Sequence, residues 1–249
     1  MSSERSNDYL EAGGGRPQDE PVSDATAAVR FRIHGTLRFL SHAETMRLWQ
    51  RACVRAALCL KYTRGFNPHP KMSLPLPRTV GVASDDELLV LRLFCERGLP
   101  GRADAAGRQM WETRTRETLN RTVPHGVDVV SVELMRSGVS FRCGAAVYEF
   151  PVRTGAPEVV DRVKQAIQKV LTSERLMVER RSPKNPGARH IDVRPFLQAV
   201  DWQGDGLKVT CNVTASGTVR VQEMMEVLEL ETGTLAGPIR RTAVQWHVA

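Results

Sequence analysis

The apolar period of this chain switches between two and 3.6 in the same order twice, and that repeated switch restricts the fold more than any single residue does. In "VRFRIHG", Val29, Phe31 and Ile33 point to one side and Arg30, Arg32 and His34 to the other, which describes a strand with one apolar and one basic face. After a turn at Gly35 comes "SHAETMRLWQRACVRAAL". Ser41 and Glu44 stand at capping-box spacing, and Met46, Trp49, Cys53 and Ala57 recur as the expected buried stripe of a helix. Arg47, Arg51 and Arg55, four residues apart, share another face of it. "CLKYT" reads as a short strand and "DELLVLRLF" as an apolar central strand. "GLPGRADAAGRQMWETRTRETLNRTVP" reads as a helix with a weak apolar stripe ending near Pro124, and "GVDVVSVELM" as a strand. The order is β-α-β-β-α-β, the split βαβ of a ferredoxin-like domain.

The order then recurs without evident identity between the halves. "AAVYEFPVR" is a strand, and "APEVVDRVKQAIQKVL" is a helix with Pro157 near its first turn and Val159, Val163, Ile167 and Val170 on one face. "RLMVERR", "HIDVRPFLQAVDWQ" and "GLKVTCNVT" supply strands, "RVQEMMEVLEL" a short helix and "IRRTAVQWHV" a last strand. The expected fold is therefore α+β: two tandem ferredoxin-like (β-α-β-β-α-β) domains with antiparallel sheets, over residues 28–136 and 137–249. The preceding residues 1–27 are polar and rich in Gly and Pro, and read as a disordered acidic tail.

That tail holds six acidic and two basic residues, a net of −4; removing it from a chain of +7 leaves a folded part of about +11. A basic core favours a polyanionic partner, most often nucleic acid; a solvated arginine-rich surface is the competing explanation. The N-terminus lacks the apolar core of a secretory signal, and no run of eighteen apolar residues spans a membrane. The five cysteines, Cys53, Cys59, Cys95, Cys143 and Cys211, form no CxxC pair, so neither a zinc site nor a disulfide framework is expected. All five sit in apolar segments and read as buried free thiols of a reducing cytoplasm. No cofactor or metal is expected: nucleotide-binding glycine loops, nucleophile elbows, zinc-protease helices and carboxylate clusters are all missing from the sequence.

"YTRGFNPHPKMSLPLP", from Tyr62 to Pro77, is the most distinctive stretch. Asn67-Pro68 and His69-Pro70 force extended backbone before each proline, which makes a stiff loop between the second and third strands. Tyr62 or Phe66 would stack on a base, Asn67 would read a base edge, and Arg64 and Lys71 would meet phosphate. The bland alternative buries Phe66 in the core and uses Asn67 to cap a turn. Arg30, Arg32 and His34 would make the open sheet face a phosphate-attracting surface. Arg38, Arg47 and His42 surround the start of the first helix, where free N–H groups suit an anion. Arg180, Arg181, Lys184 and Arg189 read as an exposed basic hairpin tip in "ERRSPKNPGARH". His42 and His69, which titrate near neutrality, are alternative acid and base residues for cleaving RNA without a metal.

"RFLSHAETMR", "YTRGFNPHPKMSLPLP…VGV" and the acidic position Glu87 resemble the bacterial radical-SAM-linked proteins, which are encoded beside or fused to a radical SAM enzyme. "IDVRPF" and "GTVRVQEMMEVL" extend the resemblance to the second half, over about 29–230. It implies a radical SAM protein as partner and no reaction of the chain's own. The cysteine triplet that holds a radical SAM cluster is absent here, which implies a stand-alone partner. Arg78 and Thr79 interrupt the apolar run with which such proteins end the loop. The expected function is thus a non-catalytic RNA-binding module, for tRNA or rRNA, that assists a radical SAM modification enzyme. The alternatives are the ribonuclease and an adaptor that binds the enzyme without touching RNA.

Overall fold

A computed structural model describes residues 23–95, 104–182 and 185–249. The elements are β1 (Ser23–Ile33), α1 (His42–Arg55), β2 (Met72–Ser73), β3 (Ala83–Cys95), α2 (Ala105–Thr122), β4 (Val127–Arg136) and β5 (Phe141–Pro151). They continue with α3 (Pro157–Thr172), β6 (Met177–Ser182), β7 (Asn185–Asp192), β8 (Leu197–Gln203), β9 (Gly206–Asn212), α4 (Val221–Val227) and β10 (Arg240–Val248). The fold is mixed α+β with a mostly antiparallel sheet, as the alternating periods predict.

One sheet runs in the order β4-β1-β3-β10-β5-β9-β8, with β2 against β3; β6 and β7 form a separate hairpin. Among the described residues, the β3–β10 pairing is the one parallel contact, and it spans only Arg240↔Ala83 and Arg241↔Ser84. Side chains fasten this short junction. Asp85 accepts from Arg240 at 2.6 Å, Asp86 accepts from the Val244 backbone N–H at 2.9 Å, and Glu87 accepts from Arg241.

Each half builds its own apolar core. In the first, Val29, Phe31 and Ile33 are buried as the alternation predicts, and Phe31 meets Trp49 of α1 edge-on at 4.7 Å. The buried stripe of α1 is Thr45, Leu48, Trp49, Ala52 and Cys53. Met46 lies at its margin, whereas Ala57 is exposed past the helix end at φ 50, so the expected stripe was rotated. Helix α2 buries only Thr115 and Leu119. Polar side chains hold it instead: Asn120 exchanges two hydrogen bonds with the Val129 backbone, and Glu112 accepts from the Leu134 N–H at 2.7 Å. These bonds cover backbone groups of β4, an edge strand, which explains a helix with so weak an apolar stripe.

Three expectations are corrected. Residues 23–27, read as tail, lie in β1 and pair with both β3 and β4; residues 1–22 lie outside the described residues. "CLKYT" is no strand: it contributes isolated bridges at Leu60↔Leu93 and Tyr62↔Pro70, and the second strand is β2. The part of the proline stretch before Met72 consequently joins α1 to β2, and β2 itself lies within the stretch. Cys59 is exposed, unlike Cys53, Cys143 and Cys211, whose thiols burial pushes up, that of Cys53 to about 12. The side chain of Cys95 lies outside the described residues.

Candidate functional site

The open face of the first half does not form the expected field of free positive charge. Arg30 donates to Asp86 at 2.9 Å, and the His34 ring meets Asp128 at 2.9 Å. Arg92 is spent on Thr26 and the Val139 carbonyl. Arg32 stays exposed and has no partner among the described residues. Between these groups lies a small apolar cluster of Ala28, Leu88 and Val90 packed by Met135, Phe141 and Trp246. A carboxylate opposite each of Arg30, His34 and Arg240 leaves this face with little excess charge to draw phosphates.

Uncompensated charge lies on the helical side. Ser41 accepts from the Glu44 N–H and Glu44 accepts back from the Ser41 N–H, so the capping box sets the start of α1. That start fixes the helical phase, and Arg47, Arg51 and Arg55 then line one groove of about 650 Å³ with Leu37, Leu40 and Pro124. All three arginines are exposed. Arg51 and Arg55 have no hydrogen-bond or ion-pair partner among the described residues, and Glu44 is the one carboxylate in the lining.

The proline loop forms a hairpin closed by the Thr63 N–H donating to the His69 carbonyl, the His69 N–H donating to the Thr63 hydroxyl and the Lys71 N–H donating to the Lys61 carbonyl. Gly65 sits at φ 130, where a side chain is strained. Tyr62, Arg64, Phe66, Asn67, His69 and Lys71 are all exposed, and Phe66 is completely so. Phe66 therefore does not fill the core, and Asn67 makes no capping bond among the described residues.

His42 and His69 are not brought together. His42 opens α1, beside the start of β3 where the Gly81 N–H donates to the Arg38 carbonyl. His69 lies past the other end of α1, bonded to Thr63 in the hairpin whose Lys71 carbonyl accepts from the Arg92 N–H near the end of β3. His42 is the first of the fourteen residues of α1, a helix roughly 20 Å long at the α-helical rise, and the hairpin that carries His69 follows its far end.

In the second half, Arg180 turns inward. It donates twice to Glu223 at 2.6 Å and once to the Thr218 carbonyl, fastening the β6–β7 hairpin to α4. It is a structural cation and not part of a basic tip. Arg189 is exposed. Lys184 and the side chain of Arg181 lie outside the described residues.

Sequence reasoning missed the centre of the molecule. Glu87 shares a sheet face with Leu89 and Leu91, and Tyr148 shares one with Phe150, so the two cores flank the same site. There one Glu87 oxygen accepts from both Arg78, at 2.6 Å, and Arg241. Arg78 also donates to the Val82 carbonyl at 2.9 Å, and Arg241 reaches the Tyr148 hydroxyl at 3.4 Å. All three charged side chains are buried, and two cations against one anion leave one positive charge inside. Burial pushes the Glu87 carboxyl up, but Arg241 and then Arg78 outweigh it and hold the carboxyl below its ordinary value. The signal was present: a glutamate inside an apolar strand and an arginine inside an apolar proline-rich run both require buried partners.

Residues 79–82, which follow Arg78 in the chain, and 238–239, the two residues before Arg240 and Arg241 begin to pair with β3, contribute to the lining of a second groove of about 820 Å³ between the halves. Arg38 and Phe39 form one wall, and Val221 and Met225 of α4 the other. Segments of "RFLSHAETMR", of the "VGV" stretch and of "GTVRVQEMMEVL" thus meet at one place.

Fold and site together define a mixed α+β protein with one mostly antiparallel sheet, an arginine-lined groove along its first helix and a cleft between its halves. Residues 27–228 match the family described as "Uncharacterized protein conserved in bacteria", DUF2344, and the chain belongs to that family. The match takes in Arg38, Phe39, Arg78 and Glu87 and ends before Arg241. No curated protein matches the chain.

Proposed function

We propose that the protein is a non-catalytic RNA-binding module that grips the phosphate backbone of tRNA or rRNA in the α1 groove. The observation that carries this reading is the row Arg47, Arg51 and Arg55: exposed, on one groove, and opposed by a single carboxylate. Guanidiniums so placed neutralise successive phosphates, whereas on the sheet face Arg30 and Arg240 are already matched by carboxylates and Arg92 is held by Thr26 and the Val139 carbonyl. The exposed hairpin tip, with Phe66 free to stack on a base, adds a contact away from the groove. We also read each half as ferredoxin-like. Its strand order is fourth-first-third-second, once as β4-β1-β3-β2 and once as β10-β5-β9-β8, with β6–β7 as an inserted hairpin. The resemblance to radical-SAM-linked proteins supplies the partner of this reading, an enzyme that modifies the bound RNA.

Binding to single-stranded RNA is measured by fluorescence anisotropy across a salt series. We expect a steep fall in affinity with salt, and Arg51→Ala with Arg55→Ala to reduce the slope of the log–log plot by about 1.4, two contacts at about 0.7 each. Salt-independent binding, or none to total cellular RNA, sinks the reading.

The adaptor reading rests on one observation, the fully exposed Phe66 on a rigid hairpin. Retention of a radical SAM enzyme on the protein after nuclease treatment, lost in Phe66→Ala, favours it. The ribonuclease reading has lost its pair of histidines; cleavage of labelled RNA in EDTA, abolished by His42→Ala or His69→Ala, would restore it.

A further inference from the structure

We propose that the groove between the halves holds one nucleoside 5′-phosphate unit of the RNA gripped by α1; the inference rests on the RNA-binding reading. The groove, at about 820 Å³, falls within the range of small-ligand clefts. Phe39 and Val80 line it and are 55% and 58% exposed, unusual for large apolar side chains that nothing covers. The Arg38 guanidinium lies over the Phe39 ring at 4.3 Å and is fixed by donating to the Gly35 carbonyl at 2.6 Å. The pair is a rigid cationic platform for a base. Across the groove, Arg153 Nε donates to the Leu235 carbonyl at 3.0 Å. Its two terminal nitrogens have no partner among the described residues and are available to a phosphate.

The buried charge next in sequence to the lining has the sign that favours the same ligand. Thr79 of the lining follows Arg78, and Ile239 of the lining stands two residues before Arg241. The side chains of Arg78 and Arg241 are buried, the Nε of each lacks a hydrogen-bond partner, and with Glu87 they carry one excess positive charge. In the lining, Arg38 and Arg153 are opposed by Glu226 alone. The lining combines the cations Arg38 and Arg153 with the apolar surface of Phe39, Val80 and Met225, which matches a base and sugar carrying one phosphate. Its position fits a strand held on α1. The short turn at Gly35–Phe39 is a shared wall, with Leu37 on the α1 groove and Arg38 and Phe39 on this one.

The test uses the full chain, a short single-stranded RNA carrying a photoreactive thiouridine, and each free nucleoside 5′-monophosphate. Phe39→Ala and Arg153→Gln change exposed residues, and circular dichroism checks that both variants fold. We expect crosslinks to peptides containing Phe39 or Met225, and a loss of RNA affinity of about tenfold in either variant. In Arg51→Ala with Arg55→Ala we expect weaker binding with the crosslink retained. If RNA binds and responds to Arg51 and Arg55, yet both groove variants bind as the native chain does without a groove crosslink, the inference is overturned while the RNA reading stands. If RNA does not bind but a free nucleotide does, and both groove variants abolish it, the ligand chemistry of the groove is supported and the RNA reading is lost. Binding of neither overturns both.

Discussion

At the residue scale, Glu87 decides more than its single charge suggests. Its carboxylate is shared by two buried guanidiniums, so removing it strands both in a low-dielectric site. Glu87→Gln should destabilise the protein by roughly 3–5 kcal/mol in urea unfolding. An unchanged midpoint would mean that the arginines relax to other partners. The pH dependence follows from the direction of its shift. The folded carboxyl lies below the ordinary value of 4.5, so the unfolded chain takes up this proton first as pH falls. The stabilisation is complete above that value and is lost as pH drops through the lower, folded one. The native chain should therefore lose stability on that acid limb, and Glu87→Gln should flatten it.

Arg180 shows how an exposed-looking residue type can mislead. A run of Arg, Lys and Pro suggested a solvated tip, yet the strand pleat turns Arg180 toward α4 while its neighbours continue the hairpin. Alternation was legible there; the existence of a glutamate to receive it was not.

At the element scale, α1 was the most legible part of the chain. The Ser41–Glu44 box sets where it begins, and a helix with a known start has a known phase, which placed Arg47, Arg51 and Arg55 on one face. The buried stripe shares Trp49 and Cys53 with the expected one but is turned toward Thr45, Leu48 and Ala52, and the helix ends at Arg55, before Ala57 could belong to it. The β6–β7 hairpin was legible as strands but not as a docked element. Arg180→Ala should cost about 2 kcal/mol, the scale of charged hydrogen bonds with a largely buried acceptor, and leave the salt dependence of RNA binding unchanged. A thermal melt and the anisotropy series together check this. A smaller salt slope at native stability would return Arg180 to the RNA surface. The proline loop was legible as stiff and exposed, because its prolines and glycine restrict the backbone locally. Its attachment to α1 and β2 was misread, since Leu60 and Tyr62 make single bridges that local propensity does not distinguish from a strand.

At the scale of the whole molecule, the two halves meet through the few residues at the start of β3. Asp85, Asp86 and Glu87 each bond to β10, and the backbone pairing there is two residue pairs long. Without residues 137–249, Glu87 loses Arg241 and the upper edge of β3 is left unpaired. A fragment of residues 1–136 should accordingly melt well below the full chain or aggregate, and should recover a cooperative transition when expressed together with 137–249. A fragment that melts as sharply and as high as the full chain would show that the junction contributes nothing to its folding.

The amino-acid sequence by itself determined the class of fold, the order of most elements, the phase of α1 and the rigid exposed loop. Each of these is set by short-range physics: side-chain period, capping and restricted backbone. Only the tertiary structure decided which charges remain free. Arg30, His34 and Arg180 find carboxylates far away in the chain, Arg78 and Arg241 converge on one glutamate across the junction, and Arg51 and Arg55 meet none among the described residues. A charge is made available or spent by neighbours that the sheet topology brings together, and no local pattern in the sequence records that pairing.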